Sequence, residues 1–282
     1  MSGALASPGR AEAGGRKLAI LAGGGPLPRL LADAAIAQGR QVHIFAFEGF
    51  CEPATVAGMP HDVVPIAKVG RLFARMHAAA CADVVLAGPV RRPGLRQLAG
   101  DLTGFVTLFR LLPVWAGDAS LLSRVLQIIE GRGFRALGVH EILPDLLAGE
   151  GTMGRIGPDA AAKSDLMAGF RAARALGRRQ RGQAVLVRDG RTIAEEGRAG
   201  TGAMLDAAAA TAAGAVLVKA AMPGQDRRVD LPTIGPETVA QARRAGLRGI
   251  AVEADEALVL DRAATVAAAD AAGIFLAGVR PA

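Results

Sequence analysis

Short apolar runs separated by polar, glycine-punctuated segments recur along the whole chain, and their spacing predicts strands alternating with helices. Residues 17–22 read as a buried strand, 23–28 as a glycine-rich loop, 29–38 as a helix closed by Gly39, and 41–47 as a second strand. A strand at 63–66, a helix at 69–80 and a strand at 82–87 continue the series. Helices at 103–112 and 119–131 follow, the second with Asp118 in the N-cap position, and 136–139 returns as a strand. This alternation predicts a Rossmann-like parallel sheet covered on both faces, with ligands beyond the carboxyl ends of its strands.

Four glycines and a proline in 149–158 mark the expected domain boundary. Beyond it the pattern restarts: a helix at 159–176, a hairpin of 184–187 and 192–195 about Asp189-Gly190, an alanine-rich helix at 204–213 and a strand at 216–219. A helix at 236–245, strands at 249–252 and 258–260, a helix at 262–271 and a strand at 274–277 complete it. The fold class expected is α/β in two domains: a tail at 1–16, a Rossmann-like N-terminal domain at 17–150 and a mixed α/β C-terminal domain at 151–282.

Composition narrows the function classes. With 51% hydrophobic and 21% charged residues, the chain can bury ordinary cores. Net charge is +7, and of the 33 basic residues only Lys17, Lys68, Lys163 and Lys219 are lysine, so arginine, suited to bidentate phosphate contact, dominates. The arginines are scattered, tyrosine is absent and no zinc-finger or RNP-type motif occurs, which argues against nucleic acid. Cys51 and Cys81 lie in no CxxC and read as reduced, packed thiols of a cytoplasmic protein. Residues 1–16 carry no apolar signal core, and the longest nearly apolar stretch, 207–218, is too short to span a bilayer.

The densest chemistry lies after the 216–219 strand. Lys219, Asp226, Arg227, Arg228 and Asp230 gather carboxylates and cations where the chain must turn, a set suited to a metal and a phosphate or equally to a solvated loop. Gly23, Gly24 and Gly25 invite a dinucleotide reading, but Pro28 stands where the third glycine of that fingerprint belongs, so an NAD(P)-dependent oxidoreductase is the weaker alternative to an anion loop. Arg91, next to Arg92 after the 82–87 strand, could contact phosphate or water. Lys163 and Asp165 open the 159–176 helix, where capping competes with ligation, and Thr201 could cap a helix or touch a ligand. His43, His61, His77 and His140 have no metal-binding spacing, and there is no Walker A run or GxSxG elbow.

The segments LAILAGGGPLPRLLADAA, VVLAGPVRRPGL, GDASLLSRVLQIIEGRGF, GQAVLV and above all KAAMPGQDRRVDLPTIGPETV together resemble the UDP-2,3-diacylglucosamine pyrophosphatase family of lipid A synthesis, the type unrelated to metallophosphoesterases. The likeness runs from about residue 17 to residue 260. It implies a Mg²⁺-dependent hydrolase that splits UDP-2,3-diacylglucosamine into UMP and 2,3-diacylglucosamine 1-phosphate by attack at the β-phosphorus, with two domains enclosing the substrate.

It implies a homodimer as well, and the basic surface would favour peripheral contact with anionic lipids at the cytoplasmic face of the inner membrane. The family's essential aspartate falls on Asp226; Gln225, Lys219 and Asp230 carry over by the same motif, and Gly23, Gly24, Gly25 and Asp118 by the N-terminal ones. Where the family commonly reads GTDAM this chain has Gly202, while Thr201 is kept. On this basis Asp226 is expected to hold the metal, with Asp230 or Asp165 assisting, or else to act as general base toward the attacking water, and Lys219 or Arg227 to stabilise developing charge. Alanines at 220–222 and 205–213 are candidates for an acyl groove or plain core, and a nucleotide-lipid carrier without catalysis is the other alternative.

Overall fold

The computed structural model describes residues 15–90 and 118–281, so the expected helix at 103–112 and Arg91 lie outside the described residues. The chain divides into two compact units between Leu143 and Pro144, with residues 117–120 grouped with the second unit.

The first unit is a five-stranded parallel sheet ordered β3-β2-β1-β4-β5, from β1 (Leu18–Ala22), β2 (Val42–Phe47), β3 (His61–Val64), β4 (Asp83–Ala87) and β5 (Arg135–Leu137). All five residues of β1 are buried, as a central parallel strand covered on both faces requires. The helix Leu27–Ala37 starts two residues before the expected position, because Pro26 and Pro28 bring a preset φ that suits a first turn. The strand expected at 63–66 pairs instead at His61–Val64. Asp83 is fully buried at the amino end of β4, where Arg135 grips it with two hydrogen bonds (2.9 and 2.8 Å) and Arg40 and Arg16 add ion pairs.

The second unit is built on a mixed six-stranded sheet ordered β6-β13-β11-β9-β7-β8: β6 (Gly151–Thr152), β7 (Ala184–Arg188), β8 (Arg191–Glu195), β9 (Val216–Lys219), β11 (Gly249–Glu253) and β13 (Phe275–Val279). β9, β11 and β13 are parallel, while β7 runs antiparallel to β9. A separate pair joins β10 (Thr233–Ile234) to β12 (Leu258–Val259). Gly151–Thr152, inside the expected boundary segment, pairs with β13 and belongs to this unit.

Alternation along each strand divides the core between the two faces. Val216 and Val218 pack with Leu166, Phe170 and Leu176 of the helix Ala160–Arg178. Leu217 and Ile250 pack with Leu205 and Val239 of the helices Gly200–Ala208 and Pro236–Arg244. Gly200–Ala208 begins four residues before the helix expected at 204–213 and ends earlier, with the Thr211 hydroxyl bonded to the Ala208 carbonyl (3.2 Å) in the turns that follow. Ala220, Leu205, Ala208 and Ala212 are core residues, while Ala207, Ala209, Ala210 and Ala213 are exposed.

Among the described residues no helix is long and apolar enough to cross a membrane. Cys51 and Cys81 are free thiols, and burial raises the pKa of both.

Candidate functional site

The carboxyl ends of β9 and β11 hold the chemistry of the second unit. Lys219 is the last residue of β9, opposite Ala184 of β7 and Val252 of β11. Its period-two partner Leu217 faces the helix Gly200–Ala208, and that parity takes Lys219 to the same side. The residue is 6% exposed, and its ammonium donates to the Thr233 carbonyl (3.0 Å). Burial pulls its pKa below the usual lysine value, and the charges of Glu196 and Asp230 oppose that pull.

Glu196, just past β8, is a second buried charge. One carboxylate oxygen accepts from the Gln183 backbone N–H (2.7 Å), the other from the Thr201 hydroxyl (2.6 Å). Thr201 is therefore committed to Glu196 at the opening of its helix. Gly202, where a family aspartate commonly stands, lies against Gln241: a Cβ there would meet that side-chain amide at 2.9 Å.

The loop after β9 is shaped by two turns. Pro223 and Gly224 (φ +78°) take the central positions of a turn closed by Gln225 N–H to Met222 C=O (3.2 Å), the residue order of a type II turn. The Asp226 carboxylate then accepts from the Arg228 backbone N–H (3.0 Å) and from both arms of its guanidinium (2.9 and 2.7 Å). Their side chains are 25% and 30% exposed, so the pair sits at the surface of the loop and is open to a ligand. Beside it, both polar atoms of the Gln225 amide are buried without a hydrogen-bond partner. A buried amide left that way costs about 1–3 kcal/mol until a ligand or water meets it.

Several expected residues sit elsewhere. Arg227 is turned to Glu256 (2.9 Å) and the Asp255 carbonyl (2.7 Å), and it is Arg228 that takes the aspartate. Asp165 does not join the metal set: it is buried at the other end of the sheet, accepting from Gly190 N–H in the β7–β8 turn (2.7 Å) and paired with Arg248. Lys163 is exposed on the opening turn of the helix Ala160–Arg178 at that same far end, where Asp159 is the cap through Ala162 N–H (2.6 Å). Asp118 begins the helix Asp118–Glu130, and its side chain lies outside the described residues.

In the first unit the glycine loop answers a packing need. Gly23 N–H is spent on Ala87 C=O (2.8 Å) and Gly24 N–H on Pro89 C=O (3.0 Å). A Cβ at position 23 would lie 2.6 Å from the Pro89 carbonyl oxygen, and one at position 88 only 2.2 Å from that of Gly24. Pro26 and Pro28 have no N–H to offer, which leaves this loop fewer donors than a dinucleotide-binding turn supplies. Gly25 alone turns its φ of +75° toward open space.

Among the described residues no three His, Cys, Asp or Glu side chains gather into a ready-made metal site. Magnesium commonly takes only one or two carboxylates and completes its shell with water and substrate phosphate; Asp226 and Asp230 share the loop after β9, whereas Asp165, at the far end of the sheet, does not fit a set with them. The histidines have other duties: His43 meets Asp62 (3.1 Å), His61 the Met59 carbonyl (2.9 Å), and His77 packs on Phe134.

A parallel sheet of order 3-2-1-4-5 in one unit and, in the other, strand ends that collect a buried lysine, a buried glutamate and an arginine-bound aspartate define a two-domain α/β enzyme. Residues 17–146 match the family described as the LpxI N-terminal domain and 149–277 the LpxI C-terminal domain. The chain is 38% identical over 276 residues to the UDP-2,3-diacylglucosamine pyrophosphatase LpxI of Caulobacter vibrioides, covering 94% of this chain and 98% of that protein. The chain belongs to the LpxI family.

Proposed function

We propose that this enzyme hydrolyses the diphosphate of UDP-2,3-diacylglucosamine to UMP and 2,3-diacylglucosamine 1-phosphate, in lipid A biosynthesis. The observation that carries the reading is the Asp226 carboxylate, held by Arg228 in the loop that follows β9 and its buried last residue, Lys219. The nearly full-length identity to a protein of that name supports it.

The substrate's negative charges repel a nucleophile, so the site must supply fixed positive charge. Lys219 and Arg228 provide it, the first locked by burial and the Thr233 carbonyl. Asp226 and Asp230 would hold a magnesium ion, which when bound neutralises diphosphate oxygens. The orphaned Gln225 amide accepts and donates to substrate, recovering hydrogen bonds it lacks in the free protein. Water attacks the β-phosphorus: a new P–O bond forms, the bond from that phosphorus to the bridging oxygen breaks, and UMP leaves with the bridging oxygen.

Turnover in ¹⁸O water checks this directly. The label is expected in the lipid phosphate and not in UMP; label in UMP would move the attack to the other phosphorus. Chelation is expected to stop UMP release, and undiminished release in excess chelator would remove the metal from the scheme. A homodimer and peripheral contact with the cytoplasmic face of the inner membrane belong to the same reading, checked by light scattering and by sedimentation with anionic vesicles.

A further inference from the structure

We propose that Glu196 is a positioning residue that fixes the Lys219 ammonium in place for diphosphate cleavage. The proposal rests on the hydrolase reading above and adds to it a residue that no sequence motif singled out.

A carboxylate 8% exposed must be paired to persist in the interior. Both hydrogen-bond partners given to Glu196, the Gln183 N–H and the Thr201 hydroxyl, are neutral, so they orient the group without cancelling its charge. Among the described residues of this unit, Lys219 is the one lysine or arginine buried as a whole residue. The ladder sets the two at the same end of the sheet, with β7 between them. Glu196 N–H bonds the Ala184 carbonyl (2.9 Å), and Ala184 is the register partner of Lys219 across β7 and β9. The glutamate therefore reaches over the start of β7, where it bonds Gln183, toward the end of β9.

The division of labour follows from chemistry. Lys219 is flexible by nature, and immobilising such a side chain costs rotamer entropy. Here one end is held by the Thr233 carbonyl, while Glu196 from beyond β8 and Asp230 from the loop after β9 supply the opposing charge. Asp230 lies in the loop that meets the substrate, whereas both oxygens of Glu196 are already bonded inside the protein. Glu196 thus keeps its place when ligand arrives, and acts through Lys219 without touching the reacting atoms.

The test uses ¹³C-lysine-labelled full-length protein, in which only Lys17, Lys68, Lys163 and Lys219 contribute signals and Lys219→Met assigns the one of interest. Glu196→Gln, which keeps the shape and removes the charge, is expected to lower the order parameter of the Lys219 ε-methylene. The same change is expected to reduce kcat at least about tenfold with KM within about threefold, since displaced catalytic groups cost rate before binding. Glu196→Asp should restore part of both. In the Lys219→Met background Glu196→Gln should cause no further loss of kcat.

An unchanged Lys219 order parameter in Glu196→Gln, or a full multiplicative loss in the double variant, would overturn the proposal. Should Glu196→Gln fail to fold, Thr201→Val frees one carboxylate oxygen, and Lys219 must loosen there too. A wild-type protein that releases no UMP sinks the hydrolase reading instead, while the lysine spectra still decide whether Glu196 holds Lys219.

Discussion

Arg228 closes on Asp226 from two residues away, giving its backbone N–H and both arms of its guanidinium to the two oxygens of one carboxylate. The arrangement is local and about a quarter exposed, so it contributes at most about 1 kcal/mol to folding. Its consequence is orientation. Arg228→Lys keeps the charge and loses the fork, and kcat is expected to fall roughly tenfold with little change in Tm. Asp226→Asn should fold normally and lose about a thousandfold in UMP release, the scale of removing one essential group. Unimpaired turnover in Asp226→Asn would detach this loop from the chemistry.

Asp165 provides the contrast. Its carboxylate ties Arg248 to the β7–β8 turn, and removing it leaves a partly buried guanidinium with the longer pair to the exposed Asp159 (3.6 Å). Asp165→Asn is expected to cost about 2–4 kcal/mol by urea denaturation, while the folded fraction keeps the wild-type kcat and magnesium requirement. A changed magnesium requirement with unchanged stability would return Asp165 to the metal set.

In the first unit the crossing of the two loops is the weak point. Gly88 has φ of +82°, and a methyl group there would run into the Gly24 carbonyl. Gly88→Ala is therefore expected to destabilise by more than about 2 kcal/mol, from left-handed strain and displacement of residues 23–25 together. Denaturant midpoints of the variant and the parent measure it, and equal midpoints would mean the loops can separate freely.

His43 makes stability depend on pH. Burial lowers its pKa below 6.5, and Asp62 opposes the shift without cancelling it. The folded value lies below the unfolded one, so the native state carries its full cost when both are protonated. That cost fades as pH rises through the folded pKa toward 6.5. Wild type should lose stability relative to His43→Asn as pH falls from 7 to 5, read from urea midpoints at each pH. Parallel curves would contradict the burial argument.

Much of this protein was legible in one dimension because local rules carried it. The apolar run that ends at Lys219 located β9, Asp189-Gly190 located a hairpin turn, and Pro223-Gly224 forced the loop that carries Asp226. The GQDRR run itself marked where chemistry would lie, since charge of both signs at a strand end has no use in a core.

Partnerships across the chain were not legible, because hydrogen bonds between distant residues leave no periodic trace. Sequence offered Asp165 as an assisting metal ligand to Asp226, and only the antiparallel course of β7 against β9 set them at opposite ends of the sheet. It offered Arg227 as the cation, and the fold of the turn chose Arg228. Glu196 carried no signal beyond an acidic pair before a glycine, yet the ladder sets it at the same end of the sheet as Lys219. The amino acids by themselves determined the elements, the two-unit order and the loop of the candidate site. Tertiary packing alone decided which charges are buried and whom they meet, because burial removes the water that would otherwise make every carboxylate equivalent.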